Sequence, residues 1–384
     1  MKKNLYFYAS CIHNPNTLAG GDRILIELAR QWTKKDNITI LTSPEGKELC
    51  KKYDLNDISY LVITNKAKNI TKLASLFLKR LFSGINFALK FKLAKDSFIY
   101  STSNFISDSF PCLVLKSRTN STWIAGYYLE PPNPFYGYDE NKTRFKFPSM
   151  GDLVFYLQDK FSKFLIKKYA DIVYVTSQPD AEKFPGKKTI IIKGGVDTHL
   201  PDKVKNKIKP EFDAVFIGRF HPEKGVLELV NIWQLVMNKK PNSKLAMIGN
   251  GPLEQAVKDK IKKLKLEKNI ILFGFKDGLE KIKIFKNSKL VLHPARYDSG
   301  GMAAAEAMAC KIPGVSYDLE ALKTYYPKGM LKTRIGNQAQ FVQNIIKLLT
   351  NKKLYKKMSK EAYQLAKTWD WNKRAEEIYK DTFT

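Results

Sequence analysis

The sequence predicts an α/β chain made of two successive, doubly wound parallel sheets, and three observations carry that prediction. Short apolar runs of strand length alternate with amphipathic segments of helix length. The alternation is broken once, by the polar, proline-interrupted stretch THLPDKVKNKIKPEF at 198–212. The chain is 384 residues long and 44% hydrophobic, which suits two full cores rather than one. Two Rossmann-like domains are expected, 1–205 and 213–365, with a cleft between the C-terminal edges of their strands. The aromatic-bearing segment 366–384 reads as a helix that either ends the second domain or crosses back to the first.

The elements follow in order. LYFYAS (5–10) is expected to be the first strand. As a signal peptide this apolar run is too short, and Cys11 comes too early for a lipoprotein cleavage site. GGDRILIELARQWTKK (20–35) reads as a helix entered through two glycines, and ITILTS (38–43) as the second strand. SFIYSTS (97–103), TWIAGYY (122–128), DIVYVTS (171–177) and TIIIKGGVD (189–197) are further strands. The second series opens with DAVFIGR (213–219) and the helix KGVLELVNIWQLVMNKK. SKLAMIG (243–249), IILFGF (270–275), KLVLHPA (289–295) and IPGVSYD (312–318) complete it, with helices between them.

The net charge is +29, spread over both halves. Such a surface suits phosphorylated ligands, anionic lipid or nucleic acid, and an AT-rich, Lys-rich genome is the plain alternative. Lysine dominates and no nucleic-acid-binding module is visible, so no nucleic-acid partner is expected. Four scattered cysteines without a CxxC fit a reducing, cytoplasmic compartment. Four histidines, none paired at i,i+4, and no DxD give no metal site. No run of transmembrane length occurs.

The chemistry-bearing residues of the second half all follow strands, where open α/β sheets bind ligands. Arg219 and Lys224, in GRFHPEKG, place two cations at a strand–loop–helix turn that could neutralise a diphosphate; solvated surface cations are the plain alternative. Gly249 and Gly251 would let backbone approach a ligand, or simply make a turn. FGF (273–275), ending at Phe275, also closes a strand and could present backbone atoms to a planar base. In HPARYDSGGMAAAEAMACKIPG (293–314), Gly300 and Gly301 would turn the N–H groups of Gly301, Met302 and Ala303 toward an anion at a helix N-terminus. Glu306 lies in the part of that helix that looks most buried. Its cost would be met by a ribose diol, or by a nearby lysine or backbone group.

Taken together, these motifs resemble the donor-binding domain of retaining glycosyltransferases of family 4, which have the GT-B fold of two Rossmann-like domains facing each other across a cleft. The family's E-x7-E reads here as Asp298-x7-Glu306, followed by EAMACKIPG. The resemblance covers roughly 213–375. In the first half, NTLAGGDRILIELARQW resembles the family's Gly-Gly loop, through Gly20 and Gly21, and IIIKGGVD its segment before the linker. It implies a retaining, metal-independent transfer of a sugar from a nucleotide-sugar donor to an acceptor hydroxyl, with no cofactor. Arg219 and Lys224 would hold the diphosphate, Glu306 the ribose, and Asp298 would sit by the donor sugar with the 300–303 backbone. Two departures stand out. Asp298 is one methylene shorter than the usual Glu. The stretch TWIAGYYLEPPNPF lacks the His many members carry, leaving Tyr127, Tyr128 or Glu130 near that position, with His13 a further candidate. His221 and His293 adjoin motif residues and need be only structural.

Ser59 to Lys95 contains no acidic residue, and its part 69–95 mixes Leu, Phe and Ile with Lys72, Lys79, Arg80, Lys90, Lys92 and Lys95. Helices of this make-up lie on anionic bilayers; a core-facing helix pair with a solvated basic face is the alternative. Membrane contact would suit a lipid-linked or membrane glycan acceptor and a peripheral place on the cytoplasmic face of a membrane. Two other functions fit the same fold: a catalytically silent carbohydrate-binding subunit, and a nucleotide-sugar epimerase.

Overall fold

A computed structural model describes residues 2–66, 73–138, 145–205, 209–298 and 300–384. The chain divides into two compact units. One comprises Met1–Gly137, Lys142–Gly194 and Asn372–Thr384; the other comprises Tyr138–Asn141 and Gly195–Trp371.

The first unit carries β1 (Asn4–Ala9), β2 (Asn37–Thr42), β3 (Ser59–Val62), β4 (Phe98–Ser101), β5 (Thr122–Tyr127), β6 (Ile172–Val175) and β7 (Lys188–Ile191). They form one parallel sheet in the order β3-β2-β1-β4-β5-β6-β7. Its helices are α1 (Gly20–Trp32), α2 (Pro44–Lys52), α3 (Leu73–Lys90), α4 (Ile106–Arg118), α5 (Met150–Tyr169) and the short α6 (Gln178–Ala181). A parallel sheet covered on both faces needs strands that are apolar throughout. Ile99, Trp123, Ala125, Val173 and Val175 are accordingly buried in one core.

The second unit carries α7 (Val226–Lys239), α8 (Glu254–Lys263), α9 (Gly278–Lys286), α10 (Met302–Ala309), α11 (Glu320–Tyr325), α12 (Gln338–Thr350) and α13 (Lys352–Lys367). Its strands are β8 (Phe212–Ile217), β9 (Leu245–Ile248), β10 (Ile270–Gly274), β11 (Ser288–His293), β12 (Gly314–Tyr317) and β13 (Met330–Thr333). They form a second parallel sheet, β10-β9-β8-β11-β12-β13. Both sheets are the doubly wound kind that the alternation predicts. Two strands are additions to that prediction, β3 and β13. Each lies at a sheet edge, and their sequences, SYLV and MLKT, carry polar or exposed positions, so neither reads as a buried apolar run.

The stretch 198–212 belongs to the second unit, and the division falls earlier, at Gly194–Gly195. Leu200–Lys203 form a single 3-10 turn, and Leu200 and Val204 pack on the second unit's core. The Asp197 carboxylate accepts the N–H groups of His199 and Leu200 at 2.9 and 2.8 Å, so the polar composition is spent on local turns. The last helix, α14 (Trp371–Phe383), changes unit at its start. In the first unit Trp32 donates its indole N–H to Ala375 O at 2.9 Å and meets Tyr379 and Phe383 edge-on.

One basic residue expected on an exposed surface is not there. Arg80, on α3, is 1% exposed. Its guanidinium donates to Ser10 O at 2.6 Å, Ile12 O at 2.8 Å and Glu45 Oε2 at 2.9 Å. It therefore clamps the loop after β1 from below, and the planar fork of donors suits two carbonyls and a carboxylate together. Lys72 lies outside the described residues. No helix among the described residues is long and apolar enough to cross a membrane.

Candidate active site

In the second unit the sequence-predicted residues leave neighbouring strands at one sheet edge. Phe275 follows β10, Gly249 follows β9, Arg219 follows β8, and Asp298 lies beyond β11. Strands β8 and β11 are adjacent although three units apart in sequence order, so their loops diverge and leave a crevice of the kind that binds ligands in such sheets.

The two loops at this switch point are laced together. Arg296 donates its backbone N–H to Glu223 O at 2.8 Å, and its guanidinium grips Glu228 at 2.6 and 3.1 Å. Glu228 also accepts the Tyr317 hydroxyl at 2.6 Å. Gly225 has φ +65, and a Cβ there would lie 2.2 Å from Pro294 O, so the loops approach as closely as only glycine allows.

This lacing brings Lys224 and Asp298 together. Lys224 Nζ lies 2.8 Å from Asp298 Oδ2 and 3.8 Å from Glu223 Oε1. His293 Nε2 lies 3.1 Å from the same Asp298 oxygen. Burial opposes the charge on Asp298, but the Lys224 ammonium and His293 outweigh it and hold the carboxyl well below the usual carboxylate range. Burial likewise opposes the charge on Lys224, and the Asp298 and Glu223 carboxylates raise it instead. Both groups are ionised at neutral pH. Arg219 differs: its side chain is 60% exposed and only 3.9 Å from Glu223 at its nearest, so its guanidinium faces solvent and can take an anion.

Three expectations change at this edge. The N–H groups of Gly300 and Gly301 are accepted by Asp298 Oδ1, at 3.2 and 3.0 Å, so Asp298 itself sits over the turn that was expected to face a ligand. Gly301, with φ +56, caps α10, leaving the N–H groups of Met302 and Ala303 in its first turn without an intrahelical acceptor. Glu306 is half-buried rather than buried, and Lys281 Nζ sits 2.9 Å from its carboxylate. The same ammonium is 2.6 Å from Asp277, and the two carboxylates overcome burial to raise its pKa. The lysine alternative for Glu306 is thus the contact observed. Gly249 has φ +136 and packs against the preceding loop: a Cβ there would lie 1.9 Å from Gly218 O. Gly251 similarly abuts Phe220. Phe275 is partly exposed beyond β10.

The candidates of the first unit fall into two groups. Gly20 and Gly21 open α1, whose Ala19 N–H is capped by Asp22 at 2.9 Å. Gly21 lies against the Tyr128 ring and Thr102 O. Tyr128 is hydrogen-bonded to Tyr100, and Tyr127 donates to Asp159 at 3.1 Å, so both tyrosines are packed core residues. His13 Nδ1 lies 3.2 Å from Cys11 O, with its ring edge-on to Phe77.

Glu130 is set apart by three ammonium groups, Lys160 at 3.1 Å, Lys163 at 2.9 Å and Lys183 at 3.0 Å. Burial pushes its pKa up, but the hydrogen bonds and charges of Lys163 and Lys183 win and lower it to about 2. A carboxylate so stabilised is a poor proton acceptor at neutral pH. Because the folded pKa is depressed, its stability contribution is complete above the ordinary value and is lost as pH falls from about 4.5 toward 2. Glu130→Gln should therefore lower stability at pH 7 by roughly 1–3 kcal/mol and flatten the acid limb over that window. Urea midpoints measured at a series of pH values for both proteins check this; parallel acid limbs would contradict it.

Lys281, Glu223 and His293 are the neighbours that motif reasoning did not place. Asp277 and Lys281 stand at i,i+4 and were readable as a helix pair, whereas the Lys281–Glu306 contact spans 25 residues of sequence and two helices. Among the described residues no group of three or more His, Cys, Asp or Glu could hold a metal ion.

Residues 200–365 match the family model of glycosyl transferases group 1. A poly(glycerol-phosphate) alpha-glucosyltransferase of Bacillus subtilis is 26% identical over 178 residues, 45% of this chain and 26% of that protein. The chain thus spans about a quarter of that relative's length. The structure resembles sucrose-phosphate synthase of Thermosynechococcus elongatus with a TM-score of 0.76, at 16% identity, over 100% of this chain and 99% of that one. It also resembles Anabaena Alr3699/HepE, solved with UDP and glucose, with a TM-score of 0.70 at 17% identity over 100% and 99% of the two chains. The fold is the GT-B pair of Rossmann-like domains that these structures share.

Proposed function

We propose that this chain, whose residues 200–365 match the family model of glycosyl transferases group 1, transfers a sugar from a nucleotide-sugar donor to an acceptor hydroxyl with retained anomeric configuration. The observation that carries the reading is the cation pair at the switch point: solvent-facing Arg219 beside the ionised Lys224–Asp298 pair. A donor diphosphate meets Arg219 and Lys224, and the first turn of α10 adds the partial positive charge of its N-terminus. These fixed charges stabilise the leaving diphosphate as the bond to the anomeric carbon breaks. Asp298, released from Lys224 by the incoming phosphate, stands by the sugar. Glu306 accepts the ribose hydroxyls, and Lys281 orients its carboxylate.

Relatives support the donor class: one is named an alpha-glucosyltransferase and one neighbour was solved with UDP and glucose. The acceptor is read as a glycan or lipid-linked hydroxyl, met at the cytoplasmic face of an anionic membrane. Asp298 also supports a second reading, a catalytically silent subunit, because its carboxylate already occupies Gly300 and Gly301. Thermal unfolding against UDP-, GDP-, ADP-, dTDP- and CMP-sugars tests the donor site. One base should raise the unfolding temperature selectively, with about 2.7 kcal/mol of stabilisation at a hundredfold excess over Kd, and Glu306→Ala should lose that gain. No shift with any of the five, in folded protein, would sink the transferase reading. A shift without sugar transfer would favour the silent subunit.

A further inference from the structure

Helix α5 is amphipathic in the wrong sense for a helix whose outer face meets only water. Its inward side is polar in the middle of the helix and apolar only toward its end, at the buried Leu165 and Ile166. Asp159 accepts from Asn104 at 2.6 Å and from Tyr127 at 3.1 Å, Ser162 bonds Ser109 at 2.8 Å, and Gln158 accepts the Ile106 N–H at 2.9 Å. The Asp159, Ser162 and Gln158 oxygens all have partners, while Gln158 Nε2 has none among the described residues, and this set of bonds seats the helix in its register. Its outward side is apolar: Met150, Val154, Leu157, Phe161 and Phe164 recur at spacings of four and three, a single stripe of helical period. Met150 is 75% and Leu157 64% exposed, and Phe147 just before the helix is 90% exposed. Soluble surfaces rarely leave such a contiguous patch uncovered.

The flanks of the stripe are basic. Lys160, Lys167 and Lys168 are exposed, and Lys168 Nζ lies over the Phe164 and Tyr169 rings. On this helix the acids are Asp159, which is buried, and Asp152, which is held by Lys146 and Ser149. Helix α4 packs between α5 and α3, and α3 in turn exposes Leu78, Phe82 and Leu89 with Lys79 and Lys90.

We propose that the outward face of α5, with α3 on the far side of α4, is a docking surface for an anionic lipid bilayer. The apolar stripe enters the headgroup–acyl boundary while the lysines keep their ammonium groups at the lipid phosphates, stems along the apolar surface. Charge selects this occupant over a second copy of the chain. Two copies would set Lys160, Lys167 and Lys168 against the same lysines, whereas an anionic surface neutralises them. The inference deepens the membrane part of the reading above and is independent of the transfer chemistry.

Co-sedimentation of the full chain with vesicles tests it. Vesicles of equal parts phosphatidylglycerol and phosphatidylcholine should retain the protein, pure phosphatidylcholine should not, and raised salt should weaken retention. Phe161→Asp with Phe164→Asp should reduce the bound fraction about tenfold or more. Lys167→Glu with Lys168→Glu should also reduce it. In both, the unfolding temperature and its shift with nucleotide should stay those of the unaltered chain, which separates failure here from failure of the donor site. Three results would overturn the proposal: no binding to the anionic vesicles, binding unaffected by the double phenylalanine variant, or a dimer in solution that the same variant makes monomeric.

Discussion

Lys224→Ala is expected to lower sugar transfer by about 100- to 1000-fold, the loss typical of removing one preorganised donor to a developing charge. In the proposed reading the side chain meets the leaving diphosphate, and its ammonium is kept charged by Asp298 and Glu223 despite burial. Its removal also takes the nearest cation from the buried Asp298 carboxylate, leaving His293 and two backbone N–H groups as its partners among the described residues. The variant should therefore lose roughly 2–4 kcal/mol of stability as well. The two effects separate in one experiment, with turnover and urea unfolding measured on the same preparations. Asp298→Asn removes the charge but keeps a hydrogen-bonding group in place, so in combination with Lys224→Ala it should recover part of the stability and none of the turnover. Turnover unchanged in Lys224→Ala would remove the switch-point cations from the mechanism.

Arg80→Met is expected to cost about 3–5 kcal/mol, the range for stripping one partner from a buried ion pair. Glu45 would lose the buried guanidinium it is paired with, and the carbonyls of Ser10 and Ile12 would lose their donor. Burial already lowers the guanidinium's pKa, and Glu45 counters it. A second substitution, Glu45→Leu, should restore more than half of the lost stability, because a missing pair costs less than a half-pair. Urea unfolding of the single and double variants forms the cycle. Since Ile12 precedes His13, the single variant should also free the loop after β1. If Arg80→Met unfolds within about 1 kcal/mol of the unaltered chain, the clamp is not structural.

Much of the architecture was legible before any coordinates. The strands around Phe7, Trp123, Val215 and Val291 announce themselves as apolar runs because parallel strands are buried on both faces. The association of Arg219, Lys224, Asp298 and Glu306 with strand ends followed from the same pattern. The edge strands β3 and β13 were hidden by their partly exposed, polar-bearing sequences, and 198–212 looked like a linker because a segment that folds by local turns is as polar as one that does not fold. The apolar stripe of α5 was hidden for a different reason. Period 3.6 reports that a helix has an apolar face but not which way it turns, and here Asp159 and Ser162 turned inward onto partners while the apolar stripe turned outward.

Residue types, their order and the strand–helix alternation determined the two sheets and the edge on which the candidate chemistry lies, because those signals are set by neighbours within a few positions along the chain. Which charge meets which was decided only on folding. Lys224 pairs with Asp298 across 74 residues, Lys281 takes the carboxylate of Glu306, Lys163 and Lys183 converge on Glu130, and Arg80 leaves the surface for Glu45. A charged side chain pairs with whatever opposite charge the packed elements deliver within about 4 Å, where low dielectric makes the choice energetically decisive, and that distance is a property of the tertiary structure alone.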